Sequence, residues 1–250
     1  MAPARMLLVE DDPMLRRFVC MALEELPLQV LECDSVAAAV QILAAQPVQL
    51  ILTDLMLPGA SGIDLLLQLQ ATPALRGSAK VVVFSAGLTP QARQQLAPLQ
   101  VWRMLEKPAS ITVLEQCVQE ALADAAPLAP APAEPPADRA DTARLAAIDQ
   151  YFGGDAELFH LYRSTCVLQF AHDLAAGDLA ADGHDLQALR RVAHSLKTVL
   201  LTIGLPALAD QARALEHASH AGLPDATAQG WPRLRTALAE FIEKQGSALI

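Results

Sequence analysis

Through the first half of the chain, short apolar runs that end in polar residues alternate with apolar positions at helical spacing. Residues 5–9, 28–32, 48–53, 80–84 and 101–105 are leucine-rich or β-branched with few polar residues, the pattern of strands covered on both faces of a parallel sheet. Between them the spacing predicts helices. Pro13 opens one that carries Leu15, Phe18, Val19, Ala22, Leu23 and Leu26, and Ser35 caps one running to about residue 45. Others follow over 63–70, near 90–96, and from the cap Ser110 to about residue 123. Such alternation predicts a doubly wound α/β domain with a five-stranded parallel sheet.

From residue 141 the strand signal vanishes. Leu145, Ile148, Tyr151 and Phe152 keep helical spacing up to Gly153-Gly154, and Asp155 is a good N-cap for a second helix over 156 to about 175, broken by Gly177, Asp178, Asp182 and Gly183. Helices over about 185–203, 206–220 and 225–244 complete the pattern. Long helices joined by short loops predict a four-helix bundle with one extra N-terminal helix. The join is of another material: residues 125–140 hold APLAPAPAEPPADRA, which favours extended polyproline II at roughly 3 Å per residue and so about 45 Å when stretched. Domains over 1–124 and 141–250, connected by this semi-rigid spacer, are expected.

Chemistry gathers where the predicted strands stop. The run over 48–53 ends in Asp54 followed by Pro58, Gly59 and Gly62; the run over 80–84 ends in Ser85; and the run over 101–105 ends in Glu106, Lys107 and Pro108. Open α/β sheets bind their ligands beyond the carboxyl ends of the strands. Glu10, Asp11 and Asp12 close the first run, and with Asp54 they make a nest of oxygen ligands suited to a hard cation, Mg²⁺ in particular. The same acids would also serve as favourable partners of a helix dipole. In the bundle half, the segment RRVAHSLKTVLLTIG places Val192, Leu196, Val199, Leu200 and Ile203 on one stripe, which sets His194, Lys197 and Thr198 on a different side and predicts an exposed imidazole. A lysine one turn on would steady a negative charge added there. His217 and His220, with Glu216, lack the four ligands of a structural zinc site.

Composition narrows the class. The chain has 250 residues, 53% apolar and 4% aromatic, with a formal net charge of −10. No cluster of lysine and arginine offers a nucleic-acid surface, and no helix-turn-helix with a basic face suggests a transcription factor. The 4 cysteines are scattered without CxxC spacing and read as buried thiols in a reducing compartment. No apolar run approaches membrane-spanning length and MAPARMLLVEDD turns acidic after only a few apolar residues, so a cytoplasmic protein without a signal peptide or membrane segment is expected.

The segments VEDDP, DLMLPGASG, FSA and EKP, in this order and at these separations, resemble a two-component response-regulator receiver domain of flavodoxin-like fold. The resemblance implies that Asp54 is the phosphoacceptor. It also implies that Glu10, Asp11, Asp54 and the backbone carbonyl of Met56 hold Mg²⁺, that Ser85 takes a phosphoryl oxygen and that Lys107 pairs with it. Asp12 is then a helix-start residue. Met104 stands three residues before the lysine, where receivers that switch through an inward-turning ring carry an aromatic. YFGGDAELFHLY, AHSLKT, Gly204 and ARALEHA resemble a histidine phosphotransfer (HPt) domain. This second resemblance implies a phosphate carried on His194 beside Lys197. Thr198 replaces the usual glycine after that lysine, and Leu201 is larger than the small residue usual on that face.

With no ATP-binding glycine pattern in the chain, the phosphate would come from a sensor or hybrid histidine kinase and be exchanged with receiver domains. The alternative is a regulator that binds and sequesters a kinase or receiver without passing phosphate.

Overall fold

The computed structural model describes residues 3–86, 88–123 and 140–246. The chain divides into two compact units, Met1–Glu134 and Pro135–Ile250. Most of the expected Pro/Ala spacer over 125–140, and Gly87, lie outside the described residues.

The first unit is a parallel sheet of β1 (Ala4–Val9), β2 (Leu28–Cys33), β3 (Leu50–Thr53), β4 (Lys80–Ser85) and β5 (Arg103–Glu106), in the order β2-β1-β3-β4-β5. Its helices are α1 (Pro13–Ala22), α2 (Val36–Ala45), α3 (Gly62–Ala71), α4 (Pro73–Arg76), α5 (Pro90–Leu96) and α6 (Ile111–Leu122), with a 3-10 turn at Ala97–Leu99. The strand order reverses between β1 and β3, whose register pairs Val9 with Thr53. Glu10 and Asp54 therefore leave the sheet side by side.

Every residue of β3 is buried, which explains why its sequence shows no alternation. Leu7, Val9, Ile51, Val81 and Val83 pack with Val36, Leu43, Leu65 and Leu69 in one core. Met6, Leu8, Leu50, Leu52, Val82 and Phe84 are as deeply buried, and their alternate parity turns them to the other face of the sheet. Fully burying one such side chain stabilises by about 1.5–3 kcal/mol. The short α4 is absent from the sequence pattern because four residues cannot display a helical period.

The second unit is all-helical: α7 (Ala140–Phe152), α8 (Ala156–Asp182), α9 (Leu186–Thr202), α10 (Pro206–His220) and α11 (Pro224–Gly246). Four long helices carry one shorter N-terminal one, and Phe152 of α7 packs edge-on against Phe159 of α8 at 5.3 Å between ring centroids. One expected boundary is wrong. Gly177 and Asp178 do not stop α8, which runs on to Asp182. Gly177 is a notch: a Cβ there would lie 2.0 Å from the ring of Trp231, which is almost fully buried. The Trp231 indole N–H donates to Asp178 Oδ1 at 2.9 Å, and Arg235 Nε donates to the same carboxylate. Two residues that favour loops in isolation are thus kept helical by α11 packing across them.

Candidate functional sites

Among the described residues, each unit gathers a cluster of buried or half-buried ionisable side chains. In the first, Glu10, Asp54 and Ser85 are buried where β1, β3 and β4 end, and Lys107 reaches in from the end of β5. Asp54 is positioned by its own backbone: its N–H donates to Val9 O at 3.0 Å, continuing the ladder past the strand end. Leu55 N–H and Met56 N–H donate to Asp54 Oδ1, and Lys107 Nζ donates to Oδ2 at 2.7 Å. The same ammonium donates to Glu10 Oε2. Gly62, at the start of α3, is pressed on this corner, since a Cβ would sit 2.0 Å from the Asp54 carbonyl oxygen.

The acidic loop is braced from α1. Asp12 caps that helix, accepting from Met14 N–H at 2.7 Å and Leu15 N–H at 3.0 Å. The Arg16 guanidinium donates to the carbonyls of Glu10 and Asp11. As expected, Asp12 is a helix-start residue.

The pocket is an acidic cluster with one buried ammonium. Burial, reinforced by Asp54 and Asp12 against the pull of Lys107, pushes the Glu10 carboxyl up to about 8. Burial and Asp54 likewise raise Asp11. Burial works against the charge of Lys107, but Asp54 and Glu10 more than offset it and hold the ammonium above its ordinary range. Carboxylate oxygens of Glu10, Asp11 and Asp54 lie within 4.8 Å of one another. When ionised, these three acids face one ammonium, which leaves an excess that a divalent cation would neutralise. Hard oxygen donors with that charge suit Mg²⁺.

The second cluster lies between α9 and α10. The Glu216 carboxylate bridges two bases: Oε1 meets His194 Nδ1 at 2.5 Å and Oε2 accepts from Lys197 Nζ at 2.6 Å. Burial would raise the Glu216 carboxyl, but hydrogen bonds and charge from His194 and Lys197 bring it down to about 2. An ionised carboxylate can only accept, so Nδ1 carries a proton, and in the neutral imidazole the lone pair is therefore on Nε2.

Here the exposure expected from sequence is corrected. His194 is 5% exposed, and its Nε2 is buried with no hydrogen-bond partner among the described residues. Thr198, expected beside it on an open side, is buried too and donates to the His194 carbonyl at 3.4 Å, whereas Leu201 is only half-buried. Helix α9 is covered on more of its circumference than one apolar stripe implies, because both α8 and α10 pack on it. Glu216, which sequence alone marks only as a partner of His217 and His220 in an incomplete zinc set, is the residue that orients the imidazole. Its signal was ARALEHA, where Glu216 follows the buried Ala212 and Leu215.

Residues 6–119 match the response regulator receiver domain, and residues 162–244 match the Hpt domain. The response regulator receiver protein CpdR of Brucella abortus (strain 2308) is 43% identical over 61 residues, 24% of this chain and 51% of that protein. The chain therefore spans about half the length of this curated relative. Among solved structures, the phosphorylated cyanobacterial phytochrome response regulator RcpA matches with 25% identity and a TM-score of 0.46, over 50% of this chain and 98% of its own. The receiver domain of the Francisella response regulator 1452 matches with 22% identity and a TM-score of 0.44, over 47% and 95%.

Proposed function

In a chain that joins a response regulator receiver domain to an Hpt domain, we propose two phosphoryl stations, Asp54 in the receiver and His194 in the bundle. On this reading the receiver occupies residues 1–124, the spacer 125–140 and the HPt domain 141–250. A sensor or hybrid histidine kinase supplies the phosphoryl group, and the HPt domain exchanges it with receivers, that of this chain included.

At the first station, an Asp54 carboxylate oxygen forms a bond to phosphorus while the bond from phosphorus to a donor imidazole nitrogen breaks. The departing electron pair remains on that nitrogen. Glu10, Asp11, Asp54 and the Met56 carbonyl would hold Mg²⁺, which when bound neutralises charge on the phosphoryl oxygens. Lys107, already within hydrogen-bond reach of Asp54, supplies the fixed cation, and the Ser85 hydroxyl takes an oxygen. Met104 is half-buried against the core, and its thioether provides no ring or hydroxyl to report on Ser85.

At the second station, the Nε2 lone pair of His194 forms a bond to phosphorus while the bond from phosphorus to an aspartyl oxygen of the donor receiver breaks, its electron pair staying on that carboxylate. Glu216 holds the Nδ1 proton and balances the cationic imidazole that results, while Lys197 faces the added phosphoryl charge. The observation that carries the reading is the His194–Glu216–Lys197 bridge, which fixes the tautomer with its nucleophilic nitrogen unbonded.

Burial of that same nitrogen supports a second reading, in which the HPt half binds a partner receiver or kinase without transfer. One experiment separates the two. The chain is labelled on Asp54 with a radioactive small acyl phosphate and Mg²⁺, or is incubated with a phosphorylated partner receiver. Alkali-stable label on wild type and none on His194→Gln supports transfer. Stable binding with no label on the bundle half supports sequestration and overturns the second station.

A further inference from the structure

The longest helix of the bundle turns an apolar face outward. On α8, Phe159, Tyr162, Cys166, Phe170, Gly177 and Ala180 are buried. At 100° per residue, Leu161, Leu168 and Leu179 fall in one line on the opposite side, and they are 53%, 75% and 77% exposed. The other exposed positions from His160 to Leu179 are His160, Ser164, Ala171, His172, Ala175 and Ala176. None carries an obligate charge. The charged side chains of this stretch are engaged on the flanks: Arg163 over the Phe241 ring, Asp173 with Gln169, and Asp178 with Trp231 and Arg235. A solvated helix normally shows charges on its outer face, and a row of large exposed apolar side chains marks a contact surface.

We propose that this face of α8 is where a second copy of the chain docks, with the two α8 helices antiparallel about a two-fold axis near residue 170. No charge on the strip itself opposes a second copy. The chain carries −10 overall, yet this strip has no fixed charge to complement an acidic or a basic surface. Against its own copy it desolvates none, as the core of an interface requires. The order of residues is self-complementary as well. Under that two-fold, Leu161 meets Leu179 at both ends, Leu168 meets His172 in the middle, and Ser164 and Thr165 meet Ala176 and Ala175. Small residues between the leucine pairs let the backbones approach, and an isologous contact of this kind closes at two subunits.

Size sets the strength. Leu161 to Leu179 spans about 27 Å at 1.5 Å per residue, on a strip about one helix wide. That is short of the roughly 800 Å² per partner of a standard interface. The pair is therefore weak and reversible, with a Kd on the order of micromolar.

Sedimentation of the full chain across a concentration series spanning that range tests the proposal. A monomer–dimer equilibrium in wild type, weakened at least tenfold in Leu168→Glu and in Leu179→Glu with unchanged far-ultraviolet circular dichroism, supports it. A monomer throughout overturns it, as does a dimer that both variants retain. Register is read with cysteines in a background lacking the native thiols. Chains carrying Leu161→Cys should cross-link to chains carrying Leu179→Cys and not to themselves; self-linking of Leu161→Cys overturns the antiparallel pairing. If the chain is monomeric and the face is protected from exchange only when a phosphorylated receiver is added, the occupant is a receiver and the proposal fails.

Discussion

The two clusters invert one another. In the receiver pocket one cation, Lys107, sits between two acids, Glu10 and Asp54. In the bundle one acid, Glu216, sits between two bases, His194 and Lys197. The inversion follows from what each nucleophile needs. A carboxylate attacks a phosphoryl group only if positive charge is already in place to neutralise what builds up. A neutral imidazole becomes positive as it attacks, so it needs a proton held in place and a negative charge behind it. The central residue differs in chemistry, but both clusters use a counter-charge withdrawn from solvent, buried at Lys107 and half-buried at Glu216, to aim the reactive atom.

The sharpest break of this pairing removes the nucleophiles themselves. Asp54→Asn should abolish alkali-labile label from an acyl phosphate, and chelating Mg²⁺ should do the same; His194→Gln should abolish alkali-stable label while leaving Asp54 competent. Persistent label in any of these, separated by alkali treatment, would dissolve the assignment of one station to each unit.

Next comes the central residue of the receiver cluster. Lys107→Met leaves Glu10 and Asp54 buried together without their cation, which should cost about 3 kcal/mol, since stranding a buried charge is far worse than losing an exposed pair. Lys197→Met removes a peripheral partner instead. Glu216 retains its hydrogen bond to His194, so the loss should be about 1 kcal/mol. Denaturant melts of both variants, without Mg²⁺, give the two numbers. Equal losses would mean that centre and periphery do not differ.

How far each cluster was legible in the sequence follows from the same contrast. Asp54, Ser85, Lys107 and the acids at 10–12 sit where apolar runs end, and a run's end is a local signal. The parallel ladder then brings those ends together with no further information, and β1 pairing with β3 suffices to set Val9 beside Thr53. The second cluster is bridged across 22 residues by Glu216, and helical period alone does not report which face of α9 another helix will cover. The sequence pattern therefore points to His194 and Lys197 but leaves the imidazole in solvent. Gly177 and Asp178 failed for the same reason: locally they break a helix, and the Trp231 that holds them helical lies 53 residues from Asp178. Leu145, Leu161 and Leu168 keep helical apolar spacing along α7 and α8 and yet are all more than half exposed, because apolarity by itself does not say what it faces.

The most specific effect expected belongs to the acid at the centre of the bundle cluster. The Glu216 carboxyl is held at about 2, below the ordinary 4.5, by its two bases. A carboxyl whose folded value is depressed stabilises the fold above its unfolded value and loses that contribution as pH falls through the folded one. Wild type should therefore exceed Glu216→Gln in stability by a constant margin, about 1–2 kcal/mol, at all pH above roughly 4.5. The margin should close between about 4.5 and 2. Because the receiver acids also titrate, the quantity to follow is the difference between the two chains at each pH, read from denaturant melts of the bundle transition. Glutamine retains an acceptor for the Nδ1 proton but not the negative charge, so the same variant should also slow, without abolishing, formation of alkali-stable label on His194. A margin independent of pH down to 2 would mean that Glu216 is held by shape rather than by charge, and the inverted symmetry of the two clusters would then be one of arrangement only.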